Sequence, residues 1–272
     1  MSLCSSQTRL FAGEVLAAYD GRRQISPLTG IEPTFSTEDA QRVAHEVTRR
    51  RIARGERVVG RKIGFTNRTI WDEYGVYAPI WGPVYDTTYK AVTGPAEAPL
   101  GHLVEPRIEP EIVFRFKAGV TPDMDERAIL ASIDWIAHGF EIVQSLFPGW
   151  QFQGADCTAA FGLHGALHCG PPVAVTGPAE PWLERLREAT ITLSKDGVAV
   201  DRGVLSNVLD GPLSAVRHLA GVLAADPEAQ PIAAGEIITT GTVTRAFPVA
   251  PGETWSTVVE GLALAPMSLR FV

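Results

Sequence analysis

Two glutamates separated by one residue lie in the segment Glu105-Pro-Arg-Ile-Glu-Pro-Glu-Ile-Val-Phe-Arg-Phe116. The alternating apolar residues around Glu109 and Glu111 predict a β-strand, in which positions two apart share a face. The two carboxylates would lie roughly 6 to 7 Å apart at the backbone and would repel each other unless a cation lies between them. Mg²⁺ suits such a site, because it takes oxygen ligands and keeps positions open for substrate. The alternative is an exposed strand with two solvated glutamates, and Pro110 favours a strand edge or a bulge.

A third carboxylate, Glu141, lies in the apolar run His138-Gly-Phe-Glu-Ile-Val-Gln144, which predicts a buried strand. A lone charge there is costly, so Glu141 is expected to meet either a metal ion or an arginine. Three carboxylates on two strands would leave half of a Mg²⁺ coordination sphere free for a bidentate ligand.

One lysine, Lys62, stands among apolar residues and glycines in Val59-Gly-Arg-Lys-Ile-Gly-Phe-Thr-Asn67. Beside a metal site such a lysine could neutralise a substrate carboxylate, or move a proton if its pKa is lowered. The alternative is a strand lysine whose ammonium group reaches solvent.

Several motifs, in matching order and spacing, resemble those of the 2-keto-4-pentenoate hydratase family, which belongs to the fumarylacetoacetate hydrolase superfamily. They are Gly-Arg-Lys-Ile-Gly-Phe-Thr-Asn67, Pro-Arg-Ile-Glu-Pro-Glu-Ile112, Gly-Phe-Glu-Ile-Val143, Gly-Glu-Ile-Ile-Thr-Thr-Gly-Thr242 and Pro-Gly-Glu253. The resemblance runs from about residue 7 to the C-terminus. It implies that Glu109, Glu111 and Glu141 bind Mg²⁺ or Mn²⁺ and that Lys62 is the active-site lysine.

The implied reaction is hydration of a 2-hydroxy-2,4-dienoate to a 4-hydroxy-2-oxo acid, a step in bacterial degradation of aromatic compounds. A metal that chelates the C1 carboxylate and the C2 oxygen would stabilise the enolate and leave an electron-poor alkene open to water. The same electron sink would serve decarboxylation of a 2-oxo-3-enedioate, and the superfamily also contains C–C bond hydrolases. A non-catalytic partner subunit is a further alternative, although such a subunit needs no metal-binding residues.

Ile80 departs from the family pattern, because an acidic residue follows the corresponding proline in the hydratases. An isoleucine cannot transfer a proton. With aromatic residues close in sequence, Ile80 predicts an apolar pocket for the distal end of the substrate and a preference for apolar tails. Arg245 is the alternative determinant, since a guanidinium beside the site could pair with a distal carboxylate.

Two further residues are candidates by analogy with the family. Asp156, where an Asp-Asn pair is replaced by Asp156-Cys157, could act as an acid, base or orienting group, or it could cap a turn. Thr242, after Gly241, could contact substrate, or it could belong to an ordinary turn at a strand end. His164 and His168 are expected to be structural, because neighbouring glycines disfavour the helix that would align them as ligands.

The pattern of elements predicts an α+β protein. Helices are expected at residues 8 to 20, after the N-cap Ser36, and near residues 125–137 and 213–224. From residue 58 onward short β-like runs dominate, and Lys-Asp-Gly197 between two apolar runs predicts a hairpin. We therefore expect a small helical N-terminal lobe of residues 1–57 and a catalytic body of residues 58–272. The resemblance implies that this body is a β-rich mixed sheet or roll of the fumarylacetoacetate hydrolase type.

Composition narrows the classes of partner. The 272 residues carry a formal net charge of −7, so no basic field exists to attract nucleic acid. Three cysteines without a CxxC spacing argue against disulfides and zinc and fit a reducing cytoplasm. No signal peptide or apolar run of membrane-spanning length is present in the sequence. The expected partner is a small 2-oxo or 2-hydroxy-dienoic acid, and the resemblance implies a homo-oligomer that associates with a related decarboxylase.

Overall fold

The computed structural model describes residues 3–68, 71–74 and 76–272. Helices α1 to α8 span Ser5–Gly21, Leu28–Ile31, Thr37–Ala53, Trp71–Tyr74, Glu126–Ala131, Gly154–Ala159, Ala179–Glu188 and Pro212–Ala225. Strands β1 to β14 span Val58–Gly64, Ile80–Tyr85, Tyr89–Ala91, Ala96–Ala98, Arg107–Phe116, Ile133–Val143, His164–Cys169, Val173–Ala174, Thr190–Lys195, Val198–Val204, Ile237–Thr242, Phe247–Pro248, Thr254–Glu260 and Met267–Phe271.

The larger of two sheets follows the order β2-β1-β11-β5-β6-β7-β3, with β12 and β8 attached to β5 and β6. This sheet curls strongly. Val84 of β2 and Leu167 of β7 lie five strands apart in that order, yet both belong to one buried apolar cluster with Val113 of β5. The concave face of the sheet therefore encloses an interior.

A second sheet, in the order β10-β9-β13-β14-β4, packs against part of the outer face of the first. Ile108 and Phe140 of the large sheet form one apolar cluster with Leu193, Trp255 and Phe271 of the small sheet. Further along the same strands, the outer face is covered by α8 and the elements around it. These mixed, curled sheets confirm the predicted fold class, in which β-structure forms the body and helices cover it.

The N-terminal helices form their own apolar cluster, in which residues 3–47 pack against residues 146–163. Helix α3 begins as predicted, because the Ser36 side chain accepts a hydrogen bond from the Asp39 amide and Asp39 bonds back to Ser36. Helix α1 includes the predicted residues 8 to 20. The division of the chain at residue 57 stays a prediction.

Two predicted elements can be compared directly with the structure. The helix expected at residues 125–137 is wrong in its second half, because α5 ends at Ala131 and residues 133–143 form β6. The apolar residues of that stretch pair with β5 along its whole length, and this pairing outweighs local helix propensity. The hairpin at Lys195-Asp-Gly197 is confirmed, with β9 and β10 on either side.

Among the described residues, no helix is long and apolar enough to cross a membrane.

Candidate active site

Strand register brings the three glutamates together on the concave face. Glu109 of β5 lies directly opposite Glu141 of β6, and Glu111 lies two residues further along β5 on the same face. One oxygen from each of the three carboxylates lies within 4.8 Å of the others. This is the spacing of a set of ligands around one ion rather than of three independent surface charges.

Two of these carboxylates carry an oxygen that has no hydrogen-bond partner. Oε2 of Glu111 accepts a hydrogen bond from the Gly241 amide at 2.7 Å, whereas its buried Oε1 has none. The buried Oε2 of Glu141 likewise accepts none. Unsatisfied buried carboxylate oxygens are costly, and a hard divalent cation between them would satisfy both. The donor set therefore fits Mg²⁺ or Mn²⁺.

Gly241 is required at its position on β11. Its φ of 94° is in the left-handed region, and a Cβ built there would lie 1.8 Å from Oγ1 of Thr66. A larger residue would shift the amide that holds Glu111. Gly241 thus permits a close approach between β11 and the Thr66 side chain.

Lys62 reaches the carboxylates from β1. In the order β1-β11-β5-β6 it lies three strands from Glu141, which would be roughly 14 Å in a flat sheet. Because the sheet curls, its Nζ lies 3.4 Å from Oε2 of Glu141. The side chain is 2% exposed, so Lys62 is a buried counter-charge rather than a strand lysine that reaches solvent.

The ionisable groups in this cluster change one another's pKa values. Burial raises the pKa of Glu109 to about 7, against the opposing effect of Lys62. Burial and the two neighbouring carboxylates also raise the pKa of Glu111. Although burial acts in the other direction, Lys62 and His164 hold the pKa of Glu141 below its usual value. Burial opposes protonation of Lys62, but three carboxylates outweigh it and raise its pKa. Lys62 is therefore protonated in this metal-free cluster and offers N–H donors. Its part in proton transfer stays a prediction.

A pocket opens above Lys62 and Glu109. Its walls include Phe65, Leu163 and Trp150, and two guanidinium groups, Arg107 and Arg245, line it as well. Arg107 stacks on the Trp150 ring, with Cζ 4.1 Å from the ring centroid. Nothing in the sequence analysis placed Arg107 or Trp150 at this wall.

Ile80 lies beside this pocket, because it pairs with Gly64 and shares an apolar cluster with Leu163, both of which line the pocket. It is 8% exposed and packs in the N-terminal cluster with Val76, Leu146 and Phe161. A separate surface hollow includes Ile80 and Trp81, but neither is among the described residues that line the pocket above Lys62. The contribution of Ile80 to an apolar distal end of the substrate site stays a prediction.

Asp156 serves the fold. Its Oδ1 accepts a hydrogen bond from the Thr29 amide at 2.9 Å, and its Oδ2 accepts bonds from the Thr29 hydroxyl and the Gln153 amide at 2.7 and 2.9 Å. These bonds close the first turn of α6 and tie it to α2. Asp156 is not among the residues that line the pocket, so capping, the alternative to acid–base catalysis, accounts for its geometry.

Replacing Asp156 tests this assignment. We expect Asp156→Ala to lower the free energy of unfolding by about 2 to 4 kcal/mol, because three hydrogen bonds to a buried carboxylate are lost. Turnover by the folded fraction should stay within about threefold of the parent, since acid–base groups contribute roughly 10²-fold or more. Denaturant unfolding and steady-state kinetics measure the two effects. A hundredfold loss of turnover at unchanged stability would return Asp156 to the catalytic residues.

Thr242 lies at the end of β11, opposite Glu111 of β5. Its hydroxyl bonds within the turn, to the carbonyl oxygen of Thr244 at 3.3 Å. It is near the carboxylates in register, but it is not among the residues that line the pocket. Its contact with substrate stays a prediction.

Sequence reasoning missed His164, which was expected to be structural. Its Nδ1 lies 2.7 Å from Oε1 of Glu141. The pairing of β6 with β7 brings the two residues together. No local sequence motif predicts that contact.

No family model matches the chain. It is 32% identical over 241 residues to a 2-hydroxyhexa-2,4-dienoate hydratase from Comamonas testosteroni, covering 88% of this chain and 89% of the relative. It is also 32% identical over 249 residues to a 4-oxalocrotonate decarboxylase from a Pseudomonas species, covering 91% and 90%. A 2-keto-4-pentenoate hydratase from Paraburkholderia xenovorans is 30% identical over 253 residues, covering 92% and 90%.

Among solved structures, 4-oxalocrotonate decarboxylase from Pseudomonas putida, complexed with magnesium and adipate, is similar over 100% of this chain and 99% of that one. The TM-score is 0.90 and the sequence identity 29%. Fumarylpyruvate hydrolase from Pseudomonas aeruginosa, with a TM-score of 0.56 and 16% identity over 78% of this chain and 88% of that one, shares the fold.

Proposed function

The chain belongs to the 2-keto-4-pentenoate hydratase family of the fumarylacetoacetate hydrolase superfamily, and we propose that it is a metal-dependent hydratase. Its substrate would be a 2-hydroxy-2,4-dienoate, and its product a 4-hydroxy-2-oxo acid. One observation carries the proposal: three carboxylates converge beside a buried, protonated lysine, and two members of this cluster, Glu109 and Lys62, line one pocket.

Each residue has a defined role in this reaction. Glu109, Glu111 and Glu141 would hold the Mg²⁺ or Mn²⁺, which supplies Lewis-acid stabilisation of negative charge on the substrate when bound. Lys62, which keeps its proton, presents an N–H donor to the oxyanion that forms at C2 as the dienol ketonises. Phe65 and Leu163 beside it restrict solvent near the reacting carbons. In the ketonisation the C2 hydroxyl loses its proton and C5 gains one, which gives a 2-oxo-3-enoate. The oxygen of water then bonds to C4 and loses a proton, and C3 gains a proton, which gives the 4-hydroxy-2-oxo acid.

The proposal is tested with purified protein, Mg²⁺ and 2-hydroxypenta-2,4-dienoate. Hydration removes the dienoate absorbance without release of CO₂ and forms 4-hydroxy-2-oxopentanoate, which mass spectrometry identifies. A 4-oxalocrotonate-type substrate is supplied in parallel, and release of CO₂ from it would identify a decarboxylase. If neither substrate reacts, although the enzyme binds Mg²⁺, the non-catalytic partner subunit becomes the better account.

Decarboxylation of a dicarboxylate is the second candidate, and a specific observation favours it. Arg107 and Arg245 line the pocket, although the protein as a whole is acidic. Together with a bound divalent cation, these two arginines would add positive charge to the pocket. That charge suits a substrate with two carboxylates, and the structurally similar decarboxylase is complexed with the dicarboxylate adipate.

The two arginines also predict which substrate tail the pocket prefers. Because arginines rather than Ile80 line the pocket, we expect a dienoate with a carboxylate tail to have a higher kcat/KM than its methyl-tailed analogue. Arg245→Ala should reduce this preference by about 10- to 100-fold, since a charge-assisted pair to a carboxylate contributes a few kcal/mol when shielded from water. The measurement is kcat/KM for both substrates in parent and variant.

A control separates specificity from general loss of activity. Arg127→Ala removes an exposed guanidinium paired with Glu180, remote from the pocket, and should leave both values of kcat/KM unchanged. A preference for the methyl tail in the parent, unaffected by Arg245→Ala, would restore the apolar-tail prediction. Assembly into a homo-oligomer, association with a decarboxylase and a cytoplasmic location stay predictions from sequence and resemblance.

A further inference from the structure

A buried histidine stands behind one of the carboxylates of the site. His164 of β7 is 1% exposed, and its Nδ1 lies 2.7 Å from Oε1 of Glu141. On the other side of the ring, Nε2 lies 2.9 Å from the Thr88 hydroxyl. Thr88 is itself fixed beside β3, where its hydroxyl lies 3.1 Å from both the amide nitrogen and the carbonyl oxygen of Tyr85.

The proton on the His164 ring can be placed from these contacts. Nδ1 faces an ionised carboxylate at 2.7 Å, so a proton must lie between the two atoms. The single proton of the Thr88 hydroxyl has two acceptors within reach, the Tyr85 carbonyl oxygen at 3.1 Å and Nε2 at 2.9 Å. Donation to Nε2 gives a neutral ring with its proton on Nδ1. In this state Glu141 accepts and His164 donates.

This hydrogen bond occupies Oε1 of Glu141 and leaves Oε2 facing Lys62 and the other two glutamates. Oε1 is held by His164, whereas Oε2 is the buried oxygen without a hydrogen bond, 3.4 Å from Nζ of Lys62. A free carboxylate can rotate about its terminal torsion, which is broad. With Oε1 fixed, the plane of the carboxylate is fixed, and Oε2 remains pointed toward Glu109 and Glu111.

We propose that His164, set in its tautomer by Thr88, is a positioning residue that orients Glu141 for the divalent cation. This inference rests on the proposed metal site. A histidine or carboxylate behind a ligand commonly contributes 10- to 100-fold in metal affinity, because it holds the ligand in its bound geometry before the metal arrives. His164 itself touches neither metal nor substrate in this arrangement.

Mn²⁺ binding to the metal-free enzyme, measured by isothermal titration calorimetry, tests the inference without reference to turnover. His164→Ala is expected to weaken Mn²⁺ binding by about 10- to 100-fold. His164→Asn keeps an N–H donor near the position of Nδ1 and should restore affinity to within about threefold of the parent. Thr88→Val, which removes the hydroxyl at similar volume, should weaken binding, whereas Thr88→Ser should not.

His138 provides a matched control. It is also a buried histidine of this sheet, but its Nδ1 donates to the backbone carbonyl oxygen of Glu111 at 3.0 Å and its Nε2 accepts from the Thr257 hydroxyl at 2.7 Å. His138→Ala should destabilise the fold yet leave Mn²⁺ affinity within about threefold, because it holds backbone rather than a carboxylate.

The outcomes are distinguishable. If the parent binds no Mn²⁺, or if Glu111→Gln does not weaken its binding, the proposed metal site itself fails. If the parent binds and His164→Ala binds equally well, the positioning role is overturned. Equal losses in His164→Ala and His164→Asn, or a loss in His138→Ala as large as that in His164→Ala, would overturn it as well. Should His164→Ala not fold, the pair Thr88→Val and Thr88→Ser decides by the same criterion.

Discussion

Glu111→Gln is expected to weaken Mg²⁺ binding and to reduce turnover together, each by roughly 10²-fold or more. The substitution is nearly isosteric, and the glutamine oxygen can still accept the hydrogen bond that Oε2 of Glu111 accepts from the Gly241 amide. The amide NH₂ group then replaces Oε1, the oxygen left without a partner. A hydrogen-bond donor at that position repels a cation, so the fold is kept while the site is lost.

The metal-free variant should also be more stable than the metal-free parent. In the parent, three carboxylates share one lysine as the nearest counter-charge, and burial and their mutual repulsion raise the pKa of Glu111. Neutralising one carboxylate relieves that repulsion. Added Mn²⁺ should raise the melting temperature of the parent but not that of Glu111→Gln. Differential scanning calorimetry with and without Mn²⁺ measures both effects.

The stability and the Mn²⁺ affinity of the metal-free protein should both depend on pH. The metal-free pKa of Glu109 is about 7, against 4.5 for an ordinary glutamate, so the folded metal-free protein binds more protons than the unfolded chain between these values. Its stability should therefore fall as the pH rises from about 4.5 to 7. Mn²⁺ must displace those protons, and its affinity should rise between about pH 6 and pH 8.

Glu180→Gln is the matched control for these measurements, because Glu180 is an exposed partner of Arg127 outside the site. It should leave metal binding, turnover and melting temperature unchanged. Full turnover of the parent after exhaustive chelation, or Glu111→Gln with parental Mn²⁺ affinity, would show that the three glutamates do not form a metal site.

Local sequence patterns predicted the strand that carries Glu109 and Glu111 and the exposed hairpin at Lys195-Asp-Gly197. Both depend on short-range signals, namely alternation of apolar residues and turn chemistry. The opposition of Glu109 and Glu141 depends instead on the register between β5 and β6. Register is fixed by the whole paired length of two strands, so the motifs could suggest the ligand set but not its geometry.

The curvature of the sheet determines which side chains meet at the site, and local sequence does not predict that curvature. Lys62 meets Glu141 across three strands because the sheet curls, and no residue near Lys62 indicates that curvature. Ile80 packs in the apolar cluster of the N-terminal helices, a contact that its neighbours in sequence do not predict. The sequence predicts a structural role for His164, because no helix would align it as a ligand. Pairing of β6 with β7 places it in contact with Glu141.

Lys62→Ala is expected to lower turnover by roughly 10²-fold or more, because it removes the donor that stabilises the oxyanion of the substrate. Lys62→Met makes the sharper test, since it keeps an unbranched apolar side chain as far as Cε and removes only the ammonium group. A positive charge 3.4 Å from Oε2 of Glu141 competes with a bound cation. Lys62→Met should therefore bind Mn²⁺ at least as tightly as the parent while turning over at about one hundredth of its rate.

This combination separates chemistry from structure, because a purely structural lysine would lose metal affinity and activity together when it is removed. Glu111→Gln and Lys62→Met should thus change Mn²⁺ affinity in opposite directions and turnover in the same direction. Lys62→Ala leaves a space beside the carboxylates into which a small primary amine can enter, and added methylamine should restore part of the rate. Turnover of Lys62→Met near that of the parent, or weaker Mn²⁺ binding in proportion to a lower rate, would leave Lys62 as a counter-charge for Glu141 and nothing more.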